Sequence, residues 1–494
     1  MTPPIPFDNS YARLSEGFFV RTDPSPVSSP GWIAFNRDLS DELGLDSEAL
    51  DSDEGLAYFS GNSLPPGAEP LAMAYAGHQF GGFVPQLGDG RALLLGEVVD
   101  RAGERYDIQL KGAGPTPFSR RGDGRSALGP VLREYLVSES MAALGVPTTR
   151  ALAAVATGDT VWREQGEPGG VFTRVARSHL RIGTFEYFAA RGKVGHLREL
   201  VAFAIERHDP RAAEAENPAT ALFEGVVRRQ ARLVARWMGL GFIHGVMNTD
   251  NTSLSGETID YGPCAFLDRY DPAKKFSFID QFGRYAYGNQ PGILQWNLAR
   301  FAEALLPVIA ESEGGSQEGA AEVASAILER FPDWFEAERD AVFAAKLGFE
   351  QGDARTRELV ADLLDAMQDQ AVDFHLAFRR LTSAVSAESE GMFLSLFAEP
   401  ARVESWLEEW RGEQSRRGMP EGEAGERMRG ANPARIPRNH RIEEAIRAAY
   451  EGEFSSFHRL HEALRNPFED RDEFSEYEKP PRQEEEVKAT FCGT

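Results

Sequence analysis

The sequence predicts an α+β fold in which a small strand-rich lobe is followed by a large helical lobe. Between about residues 90 and 178, short apolar runs alternate, as in "RYDIQLKGAG", where Tyr106, Ile108 and Leu110 face one side. From about Ser178 to residue 466 the runs lengthen and take helical spacing, as in "FEGVVRRQARLVARWMGLG" and "RTRELVADLLDAMQDQAVDFHLAF". A chain of 494 residues also exceeds what one compact core usually serves, so two lobes are expected.

The first 60 residues mix Pro-containing turns with short apolar pieces and one short helix, "LSDELGL", which reads as an ordered extension packed on a domain. "RALLLGEVV" and "RYDIQLK" read as antiparallel strands, with Lys111 at or near the end of the second. "VLREYLVSESMAALGV" places Leu132, Leu136, Met141 and Leu144 on a helix stopped by Gly145, with Glu134 in its first turn. Three further strands are expected at "ALAAVAT", "TVWRE" and "GVFTRVA", separated by turns at "TGD" and "EQGEPGG". A long helix closed by Gly239 and Gly241 then delivers the chain into a loop, with strand-like pieces around Leu254 and Thr258. The expected division is an extension (1–60), a strand-rich lobe (61–178), a helical lobe (179–466) and a charged, loosely held tail (467–494).

Hydrophobic content of 42% and aromatic content of 10% suffice for a packed core. A formal charge of -24 and a pI near 4.9 exclude a general affinity for nucleic acid or an anionic membrane, and leave small anions in a pocket open. No apolar run reaches the roughly 18 residues of a membrane span, and no export or organelle signal is visible. The two cysteines, Cys264 and Cys492, exclude a disulfide framework or a Cys-rich zinc site and suit a reducing compartment, so a cytoplasmic protein is expected. The histidines lack metal-ligand spacing, and His78 and His244 read as structural.

The stretch "GFIHGVMNTDNTSL" carries the chemistry. His244 and Asn251 stand as the His and Asn of the protein-kinase loop H-R-D-x-x-x-x-N, but Val246 occupies the place of the catalytic Asp. The loop is a chance match, or a nucleotide is bound without catalysis, or Asp250 has taken over as base. The other parts stand in kinase order. Gly88 and Gly90 form a turn whose backbone can approach phosphate, Lys111 follows on a strand, and Glu134 follows on a helix as its ion-pair partner. Asn251 and the Asp260 of "TIDYGP" are hard oxygen ligands suited to Mg²⁺. Arg174 and Arg181 offer guanidinium forks for terminal phosphates, and Asp123 with Gly124 marks a phosphate or ribose site, or a plain turn.

The segments "FSGNSLPPGAEPLAMAYAGHQFGGFVPQLGDGRALLLGE", "DIQLKGAGPTPFSRRGDGR", "FTRVARSHLRIGTFE", "HGVMNTDNTSLSGETIDYGPCAFLD" and "TFCGT" closely resemble the selenoprotein O family of kinase-like protein adenylyltransferases. The resemblance runs from Tyr11 to the C-terminus. It implies a protein-kinase-like bilobal fold, ATP bound in flipped orientation, and AMP transfer to Ser, Thr or Tyr hydroxyls of target proteins. It further implies a nucleotide pocket of Gly88, Gly90, Arg91, Lys111, Asp123, Gly124, Arg174 and Arg181. Asp250 becomes the proton acceptor, Asn251 a ligand of Mg²⁺ or Mn²⁺, and Asp260 a ligand of both metal and nucleotide. The partners expected are ATP and target proteins, with no nucleic acid or membrane, and the enzyme is expected to be a monomer. The alternatives are a catalytically silent nucleotide-binding scaffold, γ-phosphoryl transfer, or UMP transfer from UTP with Mn²⁺. The family's tail often carries selenocysteine; here it has Cys492, with Ala489 where a partner cysteine would stand, so a pairing of Cys492 with Cys264 is the redox link to consider.

Overall fold

The computed structural model describes residues 4–312 and 314–491. Its first ten strands are β1 (Phe19–Arg21), β2 (Gly31–Phe35), β3 (Leu71–Met73), β4 (Gly77–Gln79), β5 (Gly82–Val84), β6 (Ala92–Val99), β7 (Arg105–Lys111), β8 (Ser126–Ala127), β9 (Arg150–Trp162) and β10 (Gly166–Ala176). Eight of them form one sheet in the order β1-β3-β6-β7-β10-β9-β2, with β8 on β10, and every pairing is antiparallel. β4 and β5 form a separate hairpin. The N-terminal segment supplies β1 and β2, the two ends of that order, so it completes the sheet as well as lying on it.

The expected antiparallel pair is present, with Ala92 opposite Lys111, the last residue of β7. The two strands expected at "ALAAVAT" and "TVWRE" are a single strand, β9. Its "TGD" residues form a bulge instead of a turn: Gly170 pairs with Ala156 and Pro168 with Thr160, so the extra residues are absorbed without reversing the chain. The helix after β8 runs Leu128–Ala143, earlier than its apolar spacing suggested, which puts Glu134 in the second turn instead of the first.

The helix Pro218–Gly239 begins where Asn217 accepts the Thr220 N–H at 3.2 Å and Pro218 fills a first-turn position that has no intrahelical partner for an N–H. Its buried stripe includes Leu222, Val226, Leu233 and Trp237. Past Gly241 the chain forms Phe242–Ile243, which pairs with Ala265–Phe266 and closes the intervening loop at its base. The strand-like pieces around Leu254 and Thr258 are isolated bridges, Arg181 to Ser253 and Thr148 to Thr258. Each touches a different segment, so no ladder extends.

A shared apolar core joins the two halves, with Leu132 and Leu136 of the first packed in one cluster with Phe185, Leu222, Phe242 and Leu298 of the second. The tail is docked as far as Thr490, contrary to its composition. Phe474 is fully buried with the Arg459 guanidinium 4.3 Å from its ring centre, and Thr490 bridges Ser277 and donates its hydroxyl to the Pro263 carbonyl at 2.7 Å. A few anchoring side chains thus hold a segment that is otherwise rich in exposed charge. Arg438, in the segment "NPARIPRNHRIEEAI", is buried and pairs with Asp268 at 2.6 Å and Asp373 at 2.9 Å, tying the C-terminal helices to the strand after the loop. No helix among the described residues is long and apolar enough to cross a membrane.

Candidate active site

A cleft of about 700 Å³ opens between the sheet and the loop 244–264. Gly88, Gly90, Arg91, Lys111, Asp123, Gly124, Arg174, Arg181, Asp250, Asn251 and Asp260 all line it, so the structure brings every expected site residue together. At Gly88 the backbone has φ +74°, and a Cβ would sit 2.3 Å from the Phe118 ring, so only glycine fits.

The floor is a network of buried charges. Lys111 Nζ lies 2.6 Å from Glu134 Oε2 and 2.8 Å from Asp260 Oδ1. Arg174 Nη1 reaches the same Asp260 oxygen at 2.7 Å and Glu134 Oε1 at 3.2 Å, while its other nitrogens donate to Gln109 at 2.6 and 3.2 Å. Arg181 Nη1 donates to Asp260 Oδ2 at 3.3 Å and to the Asp250 carbonyl at 2.8 Å, and its guanidinium rests 4.5 Å from the Tyr75 ring centre. The Arg174 and Arg181 side chains are 1% and 4% exposed. Burial pushes the Asp260 carboxyl upward, but Lys111, Arg174 and Arg181 outweigh it and hold the group well below its usual range. Asp260 also has φ +64°, a left-handed conformation that costs energy for a side chain with a Cβ and marks a residue fixed by its surroundings.

Asp250 is different. Its carboxyl is pushed up to about 6, chiefly by burial, against a Gln79 hydrogen bond and the nearby Arg181 charge. Gln79 Nε2 donates to Oδ2 at 3.1 Å, while Oδ1 is buried with no hydrogen-bond partner among the described residues. Gly77 makes room for it: a Cβ there would lie 2.5 Å from Oδ1. Gly77→Ala is therefore expected to slow any reaction that uses Asp250 by about 10- to 100-fold, since small misplacements of a reacting group are costly. Its thermal midpoint should fall only by the few degrees that mild overpacking costs. A wild-type rate in this variant, with the fold verified by circular dichroism, would contradict the placement of Asp250.

Both histidines are used structurally. His244 is buried, stacks on Trp237 and hydrogen-bonds through Nε2 to the Ile259 carbonyl at 2.8 Å, bracing the residue before Asp260. The His78 N–H donates to Thr249 Oγ1 at 2.7 Å, and its ring pairs with Glu186, which also accepts from Thr249. This fixes the residue before Asp250.

The donor set suits a hard divalent cation. Asn251 Nδ2 donates to the Val246 carbonyl at 3.0 Å, which spends the amide nitrogen and leaves the amide oxygen for a metal. Asp260, held firmly ionised, lines the same cleft. No group of three or more His, Cys, Asp or Glu residues among the described ones forms a metal cage. An amide and a carboxylate instead match Mg²⁺ or Mn²⁺ that keeps water and phosphate ligands.

A family model described as "Protein adenylyltransferase SelO" matches residues 4–465. This chain belongs to the SelO family. Relatives called "Protein nucleotidyltransferase YdiU" agree along the whole length. One from Rhizobium rhizogenes is 57% identical over 494 residues, covering 100% of this chain and 97% of its own. One from Methylorubrum populi is 56% identical over 504 residues with both chains fully covered, and one from Rhodopseudomonas palustris is 55% identical over 496 residues, again with both fully covered.

Sequence reasoning missed several groups that shape this SelO-family site. Asp89 is buried, accepts from the Met73 N–H at 3.2 Å and from Gln109 Nε2 at 3.1 Å, and faces Arg181 Nη2 at 3.8 Å. Its position inside "GDG", between Gly88 and Gly90, was the one available signal. Gln79, Tyr75 and Glu186 left none, because their partners stand roughly 60 to 170 residues away. Cys264 is buried and its thiol is pushed up to about 12, mainly by that burial, so it is unreactive as it stands. Cys492 lies outside the described residues.

Proposed function

We infer that this chain is a protein adenylyltransferase that moves AMP from ATP to a Ser, Thr or Tyr hydroxyl of a target protein and releases pyrophosphate. The observation that carries the reading is the floor of the cleft, where two buried arginines and Lys111 converge on Asp260. Guanidinium forks so placed suit the terminal phosphates of a triphosphate, which then enters tail-first with its α-phosphorus toward the acceptor. The gap at Val246 is filled by Asp250, displaced along the loop. The same reading makes the molecule a two-lobed, protein-kinase-like fold acting in the cytoplasm.

The acceptor oxygen attacks the α-phosphorus, its proton passes to Asp250 Oδ1, and the bond between the α-phosphorus and the bridging oxygen to the β-phosphate breaks. Charge developing on pyrophosphate falls to Lys111, Arg174 and Arg181, already oriented before reaction by Glu134, Gln109 and Asp89. Gly88, Gly90 and Arg91 flank the phosphates, and Asp123 with Gly124 meets the nucleoside. Mg²⁺ or Mn²⁺ held by Asn251 and Asp260 supplies charge neutralisation on the phosphate oxygens when bound.

Incubation with ATP labelled at either the α- or the γ-phosphate tests the reading. Label on protein only from the α position is expected. Label only from γ would make the chain a kinase, and none from either would make it a silent scaffold.

A further inference from the structure

The described residues expose few large apolar side chains, and six of them belong to three neighbouring segments. Phe80 and Phe83 lie on the β4–β5 hairpin, Phe278, Ile279 and Phe282 follow the loop, and Phe491 ends the described tail. Phe282 is 97% exposed, Phe278 64% and Ile279 56%. Solvated aromatic residues this concentrated are unusual on a monomer surface and mark an interaction site. They are also presented, not loose. The Asp280 carboxylate accepts the N–H groups of Arg284 at 2.9 Å and Tyr285 at 2.8 Å, which fixes the turn that carries Phe282 outward. Phe80 packs on Tyr285 with ring centres 5.0 Å apart, joining the hairpin to that turn.

Two observations say what covers this patch. First, it is continuous with the cleft: Phe80 and Ile279 line it together with Gln79 and Asp250, where an acceptor hydroxyl must arrive. Second, Phe80 directly follows Gln79, whose Nε2 donates to Asp250 Oδ2 at 3.1 Å, so the patch begins one residue from the group that holds Asp250.

Resting on the adenylyltransferase reading, we propose that the cleft mouth docks an extended segment of the target protein that carries a large apolar side chain within two residues of the acceptor hydroxyl. The hydroxyl side chain turns in toward Asp250, and the apolar neighbour settles among Phe80, Phe278, Ile279 and Phe282.

The test uses the full-length protein, α-labelled ATP, Mg²⁺ or Mn²⁺, and matched sets of synthetic peptides centred on Ser, Thr or Tyr. One set has Phe, Leu or Ile within two positions of the hydroxyl, and the other has Ser, Gly or Lys there. The apolar set is expected to show a KM lower by roughly tenfold or more, the effect of burying one large side chain. The double variant Phe278→Ser/Phe282→Ser should erase that difference while leaving the Kd for ATP, measured by calorimetry, unchanged. Neither residue lines the cleft. Labelling of both sets with equal KM, or a preference that survives in the double variant, would overturn the docking inference and leave the adenylyltransferase reading standing. Labelling of no peptide in either set would overturn both. A double variant that loses a dimer in sedimentation but keeps the peptide preference would show the patch to be a self-interface, and would also overturn it.

Discussion

Asp250→Asn is expected to slow nucleotidyl transfer by about 10²- to 10⁴-fold, the range a positioned general base contributes, while ATP still binds. The substitution preserves size and the approach of Gln79 and removes only the ability to take a proton. The wild-type kcat/KM should rise with pH through about 6 and then level off, because Asp250 must be ionised to act and burial has raised its carboxyl to about 6. The variant should lose that limb. Stability moves the other way. A carboxyl whose folded pKa of about 6 exceeds its ordinary 3.8 binds its proton more tightly when folded, so its stabilising contribution is present at low pH and is lost as pH rises through 6. At pH 7.5 the ionised wild-type group therefore carries a penalty on the order of 3 kcal/mol, which Asp250→Asn removes. Denaturant titration should find the inactive variant more stable than wild type at pH 7.5, with the gap shrinking as pH falls through 6 and closing below about 3.8. An active variant, or one destabilised equally at both pH values, would contradict this assignment.

Asp260→Ala has a second large effect, on fold and function together. Lys111, Arg174 and Arg181 all converge on that carboxylate, and the two arginines are nearly inaccessible to water. Removing it leaves Glu134 and Asp89 to face three buried cations, and breaking a buried ion network by deleting one partner costs about 3–5 kcal/mol. Transfer should fall below detection, because the same residue is assigned to metal and nucleotide. Added ATP should protect the wild type against denaturant far more than the variant. Full activity in Asp260→Ala, or an unchanged denaturation midpoint, would remove Asp260 from the centre of the account.

Much of the site was legible because its parts stand at spacings that one chain order imposes. A strand-end lysine, a helix glutamate, an Asn, an Asp and two arginines were each weak signals alone; the structure joins all but the Asn in one network and sets Asn251 in the same cleft. What escaped notice depended on distant pairing. Nothing local in "FVR" or "GWIAF" announces that these segments stand at opposite ends of the sheet order. The "TGD" residues carry turn chemistry, yet the bulge they form is decided by the register with β10. The tail's charges hid Phe474 and Thr490, whose burial depends on partners contributed by other segments. Gln79 became part of the site only because its hairpin folds over the loop that carries Asp250.

The direction in which the triphosphate lies decides which phosphorus meets the acceptor hydroxyl. A crystal structure of the full chain with a non-hydrolysable ATP analogue and Mg²⁺ tests it most directly. The outermost phosphate should contact Lys111, Arg174 and Arg181 at the cleft floor, with the α-phosphorus open to a hydroxyl beside Asp250. A nucleotide whose base fills that floor and whose outermost phosphate stands at the aromatic rim would contradict it.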